Sequence, residues 1–226
     1  RSVCLGADQI MKYLLIHANS SGRVYQSLAS GDSAIEPPIW AGLLQNSLAC
    51  AGVGCELLDC EVLGLDATES AKVILDACPE IAVFVVYGQQ PSASTQNMAG
   101  AVEVAELVKD ADPQIGVAFV GGHVAALPIE TLDRHDCIDF VFTNEGVLAL
   151  HQLASASDWR RALTDLPGVA FRESGFSKSN PASETVGQRD LDRLLPGINW
   201  DLVDPASGYR TAGWHSWSNA SVKETF

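Results

Sequence analysis

The sequence predicts a doubly wound α/β fold of the flavodoxin-like or Rossmann-like kind: a five-stranded parallel sheet in the order 2-1-3-4-5, with an extra edge strand and an irregular C-terminal tail. Three observations carry this. Uncharged runs such as Ile81–Tyr87 and Ile115–Val120 read as strands covered on both faces. Strand-like and helix-like stretches alternate five times, and right-handed crossovers turn that alternation into a parallel sheet with helices on both sides. The fourth run ends in Gly121-Gly122, where missing Cβ atoms let backbone or ligand come close at the carboxyl edge, the ligand edge of open α/β sheets.

The elements follow in order. Tyr13–Ala18 is the first strand, and Asn19, Ser20, Ser21 and Gly22 form a polar loop. The connection onward to Glu36 is long, which marks a functional or mobile loop. Pro37-Pro38 opens a helix over Ile39–Ala51, closed by Gly52. Cys55–Asp59 is the second strand, and a short helix spans Ser70–Ala77 with Ser70 as a candidate cap. Ile81–Tyr87 is the third strand, apolar throughout and therefore central; Gly88–Thr95 is its loop and Gln96–Lys109 an Ala-rich helix. After the fourth strand, Gly121–Leu127 is a loop and Pro128 opens a helix over Ile129–Arg134. Phe140–Phe142 is the fifth strand, Thr143–Gly146 its loop, Val147–Ala156 the next helix and Leu166–Arg172 the extra edge strand. The domain thus covers residues 12–172. Residues 173–226 turn rich in Ser, Asn, Gly, Pro and charge and read as a linker or tail; Trp200, Trp214 and Trp217 in it should pack on the domain or a neighbour.

Composition excludes several classes. The chain has 226 residues, 47% of them hydrophobic, enough for a packed core. Lys+Arg total 14 against 28 Asp+Glu, and the net charge of −14 argues against nonspecific binding to nucleic acid or to an anionic membrane. No apolar run approaches the roughly 20 residues of a membrane span, and no basic stretch precedes an apolar one as in a secretory signal; the expected compartment is the cytoplasm. Cys4, Cys50, Cys55, Cys60, Cys78 and Cys137 form no Cys-x-x-Cys pair, a scatter that suits reduced thiols rather than a disulfide or metal framework.

Four loops share the ligand edge: Asn19–Gly22, Gly88–Thr95, Gly121–Leu127 and Thr143–Gly146. They hold donors and small side chains but few catalytic groups. Ser92, Ser94 and Thr95 precede a helix, so capping and hydrogen bonding to a polar ligand both stand open. His123 should lie on the same edge, as a surface histidine or a ligand contact. Glu145 is either an acid favoured by a helix N-terminus or a ligand contact. No Ser–His–Asp set can be assembled. Gly52-Val53-Gly54 precedes a strand instead of following one, so it is no dinucleotide fingerprint.

In order and spacing, Tyr13–Ala18, Glu36–Leu43 (EPPIWAGL), Phe119–His123 with Leu127–Glu130, Asp139–Gly146, Leu166–Arg172 and Leu195–Asp201 together resemble the N-terminal cobalamin-binding domain of cobalamin-dependent radical S-adenosylmethionine enzymes. The resemblance covers most of residues 12–217. It implies that the cofactor's dimethylbenzimidazole tail enters the crevice between the first and third strands, with the corrin over the carboxyl edge. It assigns the tail to Gly121, Gly122, Ser92 and Ser94, and the corrin face to Tyr87, Gln89, Gln90, Thr143, Asn144, Glu145 and Gly146. Asn19, Ser20 and His123 join the candidate cofactor contacts, and no catalytic or metal-ligating residue is assigned.

Two departures shape the expectation. The Asp-x-His-x-x-Gly motif of methionine synthase and the mutases is missing: counted back from Gly22, Asn19 stands at the His position and His17 at the Asp position. A lower axial histidine from this loop is therefore not expected, and binding should be base-off. The Cys-x-x-x-Cys-x-x-Cys of the radical domain is also absent, so the chain reads as a fragment whose parent is a methyltransferase, with the [4Fe–4S] cluster and S-adenosylmethionine in the missing barrel. The alternatives are a flavodoxin-like electron carrier binding FMN, for which Asn19-Ser20-Ser21-Gly22 is a thin phosphate loop, and a noncatalytic α/β binding module.

Overall fold

A computed structural model describes residues 12–20, 35–88, 91–200 and 208–209. Its strands are β1 (Tyr13–His17), β2 (Cys55–Asp59), β3 (Ile81–Val85), β4 (Gly116–Val120), β5 (Phe140–Phe142), β6 (Val169–Glu173) and β7 (Phe176–Ser179). They form one sheet in the order β2-β1-β3-β4-β5-β6-β7. The first five are parallel, in the order the sequence predicts; β6 and β7 add on antiparallel.

The helices are α1 (Ile39–Cys50), α2 (Ala67–Ala77), α3 (Pro91–Ala111), α4 (Gly122–Ala126), α5 (Pro128–Arg134), α6 (Val147–Ala154), α7 (Trp159–Ala162) and α8 (Leu191–Leu194). Strand side chains alternate between two cores. Leu14, Ile16, Ala82, Phe84, Val117, Phe119 and Val141 pack with α2, α3, α4 and α5. Tyr13, Leu15, Val83, Val85, Ala118, Val120, Phe140 and Phe142 pack with α1, α6, α7 and α8. Both faces of the central strands are thus covered, which is why those strands lack charge.

Several boundaries differ from the sequence expectation. Helix α3 begins at Pro91 rather than Gln96. Proline's fixed φ suits the first helical turn, so the predicted loop is cut short and Ser92, Ser94 and Thr95 are helical. The stretch after Gly121, expected as loop, holds the five-residue helix α4. Helix α2 begins at Ala67; its cap is Asp66, which accepts from the Glu69 N–H at 2.8 Å while Glu69 Oε2 accepts from the Asp66 N–H at 3.0 Å. Ser70, the expected cap, lies inside the helix and is buried. The sheet also runs past residue 172. Ser174 and Gly175, at φ 52° and 85°, make a two-residue turn into β7, so part of the expected tail belongs to the sheet. Trp200, like Ile35, Val62 and Ile198, packs against Tyr209; Trp214 and Trp217 lie outside the described residues. No helix among the described residues is long and apolar enough to cross a membrane.

Candidate functional site

The parallel order brings the ends of β1, β3, β4 and β5 to one rim, and the two glycines after β4 do different work there. A Cβ on Gly121 would stand 2.7 Å from Val86 Cγ2 and 2.8 Å from the Val86 carbonyl oxygen. Gly121 therefore makes room for the chain leaving β3, whose Val86 N–H donates to the Val120 carbonyl at 2.8 Å. Gly122 is exposed, and a Cβ there would meet only Ser94, at an ordinary 3.8 Å. Ser94, 1% exposed on α3, accepts the His123 N–H on its hydroxyl at 2.9 Å and so caps α4 from a neighbouring helix. His123 Nδ1 lies 3.0 Å from Thr95 Oγ1. A track of small and hydroxyl-bearing residues thus runs between the first turns of α3 and α4.

The loop after β1 sits differently from the expectation. Asn19 Nδ2 donates to the Leu65 carbonyl at 3.2 Å. Ser20, 4% exposed, donates to the Asn97 carbonyl at 3.3 Å, and a Cβ on Gly100 of α3 would stand 2.6 Å from its hydroxyl. Asn97 Nδ2 in turn donates to the Tyr87 carbonyl at 3.1 Å. The protein's own residues fill the space between this loop and α3.

Along the rim, Tyr87 stacks on Trp40 of α1 with centroids 4.8 Å apart and planes at 26°. Burial first, and the charge of Glu145 second, push the Tyr87 hydroxyl up to about 12. The loop from Thr143 to Gly146 is folded by its own bonds. The Thr143 N–H donates to the Gly168 carbonyl at 2.9 Å, and Asn144 Oδ1 accepts the Gly146 N–H at 2.9 Å with Gly146 at φ 76°. Gln89 and Gln90 lie outside the described residues, as does the side chain of Ser92.

Sequence reasoning missed Trp40, whose signal was an aromatic in the first turn of a helix opened by Pro37-Pro38. It also missed a buried cluster at the ends of β1 and β2. Asp59 is 5% exposed and accepts from His17 Nδ1 at 3.1 Å, the Glu61 and Val62 N–H groups at 3.1 and 3.3 Å, and the Tyr209 hydroxyl at 2.7 Å. Nothing in local sequence pairs residues 150 apart.

The rim offers hydroxyls, backbone donors, stacked aromatic rings and one acid, the equipment of a binding site. Among the described residues no group of three or more His, Cys, Asp or Glu side chains is arranged to hold a metal ion. A hollow of about 410 Å³ bordered by Glu80, Asp112, Ile115, Trp159 and Arg160 lies at the opposite, amino edge of the strands.

No protein-family description matches the chain. It is 28% identical over 149 residues, 66% of its length, to an uncharacterized methyltransferase of Pyrococcus horikoshii, and spans 30% of that protein. The cobalamin-dependent S-adenosylmethionine radical enzyme OxsB, solved with aqua-cobalamin and S-adenosylmethionine bound, superposes with a TM-score of 0.63 at 18% identity over 86% of this chain and 25% of OxsB. OxsB with aqua-cobalamin alone gives a TM-score of 0.63 at 19% identity. The chain therefore spans less than a third of each of these proteins, and the property it shares with OxsB is an α/β fold built on a mostly parallel, doubly wound sheet.

Proposed function

We propose that this chain binds cobalamin, base-off, as one module of a radical S-adenosylmethionine enzyme that acts as a methyltransferase. The observation that carries the reading is the track at Gly122, Ser94 and His123. The likeness to OxsB supports it through the fold, and the methyltransferase relative supports the class of the parent enzyme.

The residues present fit such a group. Gly122 is exposed and carries no side chain, so a nucleotide arm can lie against its backbone. Ser94 holds the start of α4 in place, and its buried position keeps the wall of the track fixed. Tyr87 and the loop from Thr143 to Gly146 stand along the rim where a corrin would rest, with Asn144 occupied in shaping that loop. When bound, cobalamin supplies a cobalt-held methyl group. This chain's part is to place that group and shield it, while the [4Fe–4S] cluster and S-adenosylmethionine belong to a separate barrel domain of the parent. The expected setting is cytoplasmic, with no nucleic acid or membrane partner.

The test mixes the purified chain with hydroxocobalamin and removes free ligand on a desalting column. The expected result is a red protein carrying about one corrin per chain, with a base-off spectrum. A colourless protein overturns the reading, as does retention of flavin instead.

A further inference from the structure

We draw no further inference here: the strongest candidate, the hollow of about 410 Å³ at the amino edge of the strands, carries nothing, because the Glu80, Asp112 and Asp158 carboxylates along it are bonded to the chain's own Lys12 ammonium and to the Gln114 and Arg161 N–H groups, and nothing in the structure shows what fills it.

Discussion

Gly121 and Gly122 are adjacent and chemically identical, yet their surroundings make opposite demands. At Gly121 an added methyl would press on the backbone of Val86, at 2.8 Å from its oxygen and 2.9 Å from its carbonyl carbon, and backbone in a sheet cannot step aside. Gly121→Ala should therefore destabilise the fold by about 1–3 kcal/mol, the usual cost of overpacking, seen as a lower midpoint in urea. At Gly122 the nearest atoms are 3.8 Å away and the residue is exposed, so Gly122→Ala should leave that midpoint almost unmoved. Equal losses in the two variants would refute the division of labour. The same logic assigns Ser94 a structural share in any ligand site. Its hydroxyl accepts the His123 N–H, and Ser94→Ala would leave that donor without its side-chain partner.

At the scale of elements, starts and stops are set by short-range chemistry. Helix α2 opens on Asp66 with a reciprocal bond from Glu69, so Asp66→Ala should cost about 1 kcal/mol and Asp66→Ser much less, both measured by chemical denaturation. Equal stability of the alanine variant would show that tertiary packing alone fixes this end. The capping box stands in the sequence as Asp66-Ala67-Thr68-Glu69, beside Ser70, which is also a capping residue type. The five parallel strands and their order were legible because an apolar run covered on both faces has few other uses. The hairpin from β6 to β7 was not, since Phe176-Ser177-Lys178-Ser179 has three polar residues and no apolar alternation, and only Ser174-Gly175 marks its turn. The candidate site was half legible. Sequence placed Gly122, Ser94, His123 and Tyr87 on one rim, as observed; it had no means of knowing that Val86 fills the space at Gly121, or that Ser20 tucks under α3 against Gly100.

Across the whole molecule, residues 194–198 lie along α1, and Tyr209 lies at the ends of β1 and β2. Ser47 of α1 donates to the Leu194 carbonyl, Asn46 Nδ2 donates to the Gly197 carbonyl at 2.8 Å, and Ile198 lies over Gly42. Tyr209 then reaches Asp59 at 2.7 Å, and Asp59 also holds His17 at 3.1 Å. This clasp has a pH signature. Burial pulls the His17 pKa down, but the hydrogen bond and charge of Asp59, joined by the charge of Glu61, outweigh it, so the folded value lies above the ordinary one. A raised value means that folding favours the protonated ring. The pair's contribution is therefore complete below the ordinary histidine pKa of about 6.5 and is lost as pH rises through the folded value. Burial, and then the charge and hydrogen bond of Asp59, raise the Tyr209 pKa, so its hydroxyl keeps its proton and goes on donating over the same range. The melting temperature should accordingly fall as pH climbs from about 6 through that value, and His17→Gln should flatten this decline. Tyr209→Phe should keep the slope but lower stability by about 1–3 kcal/mol, and should make residues 191–200 quicker to be cut by protease. An undiminished pH slope in His17→Gln would place the titrating group elsewhere. Unchanged protection of that segment in Tyr209→Phe would mean that contacts with α1 hold it without the clasp.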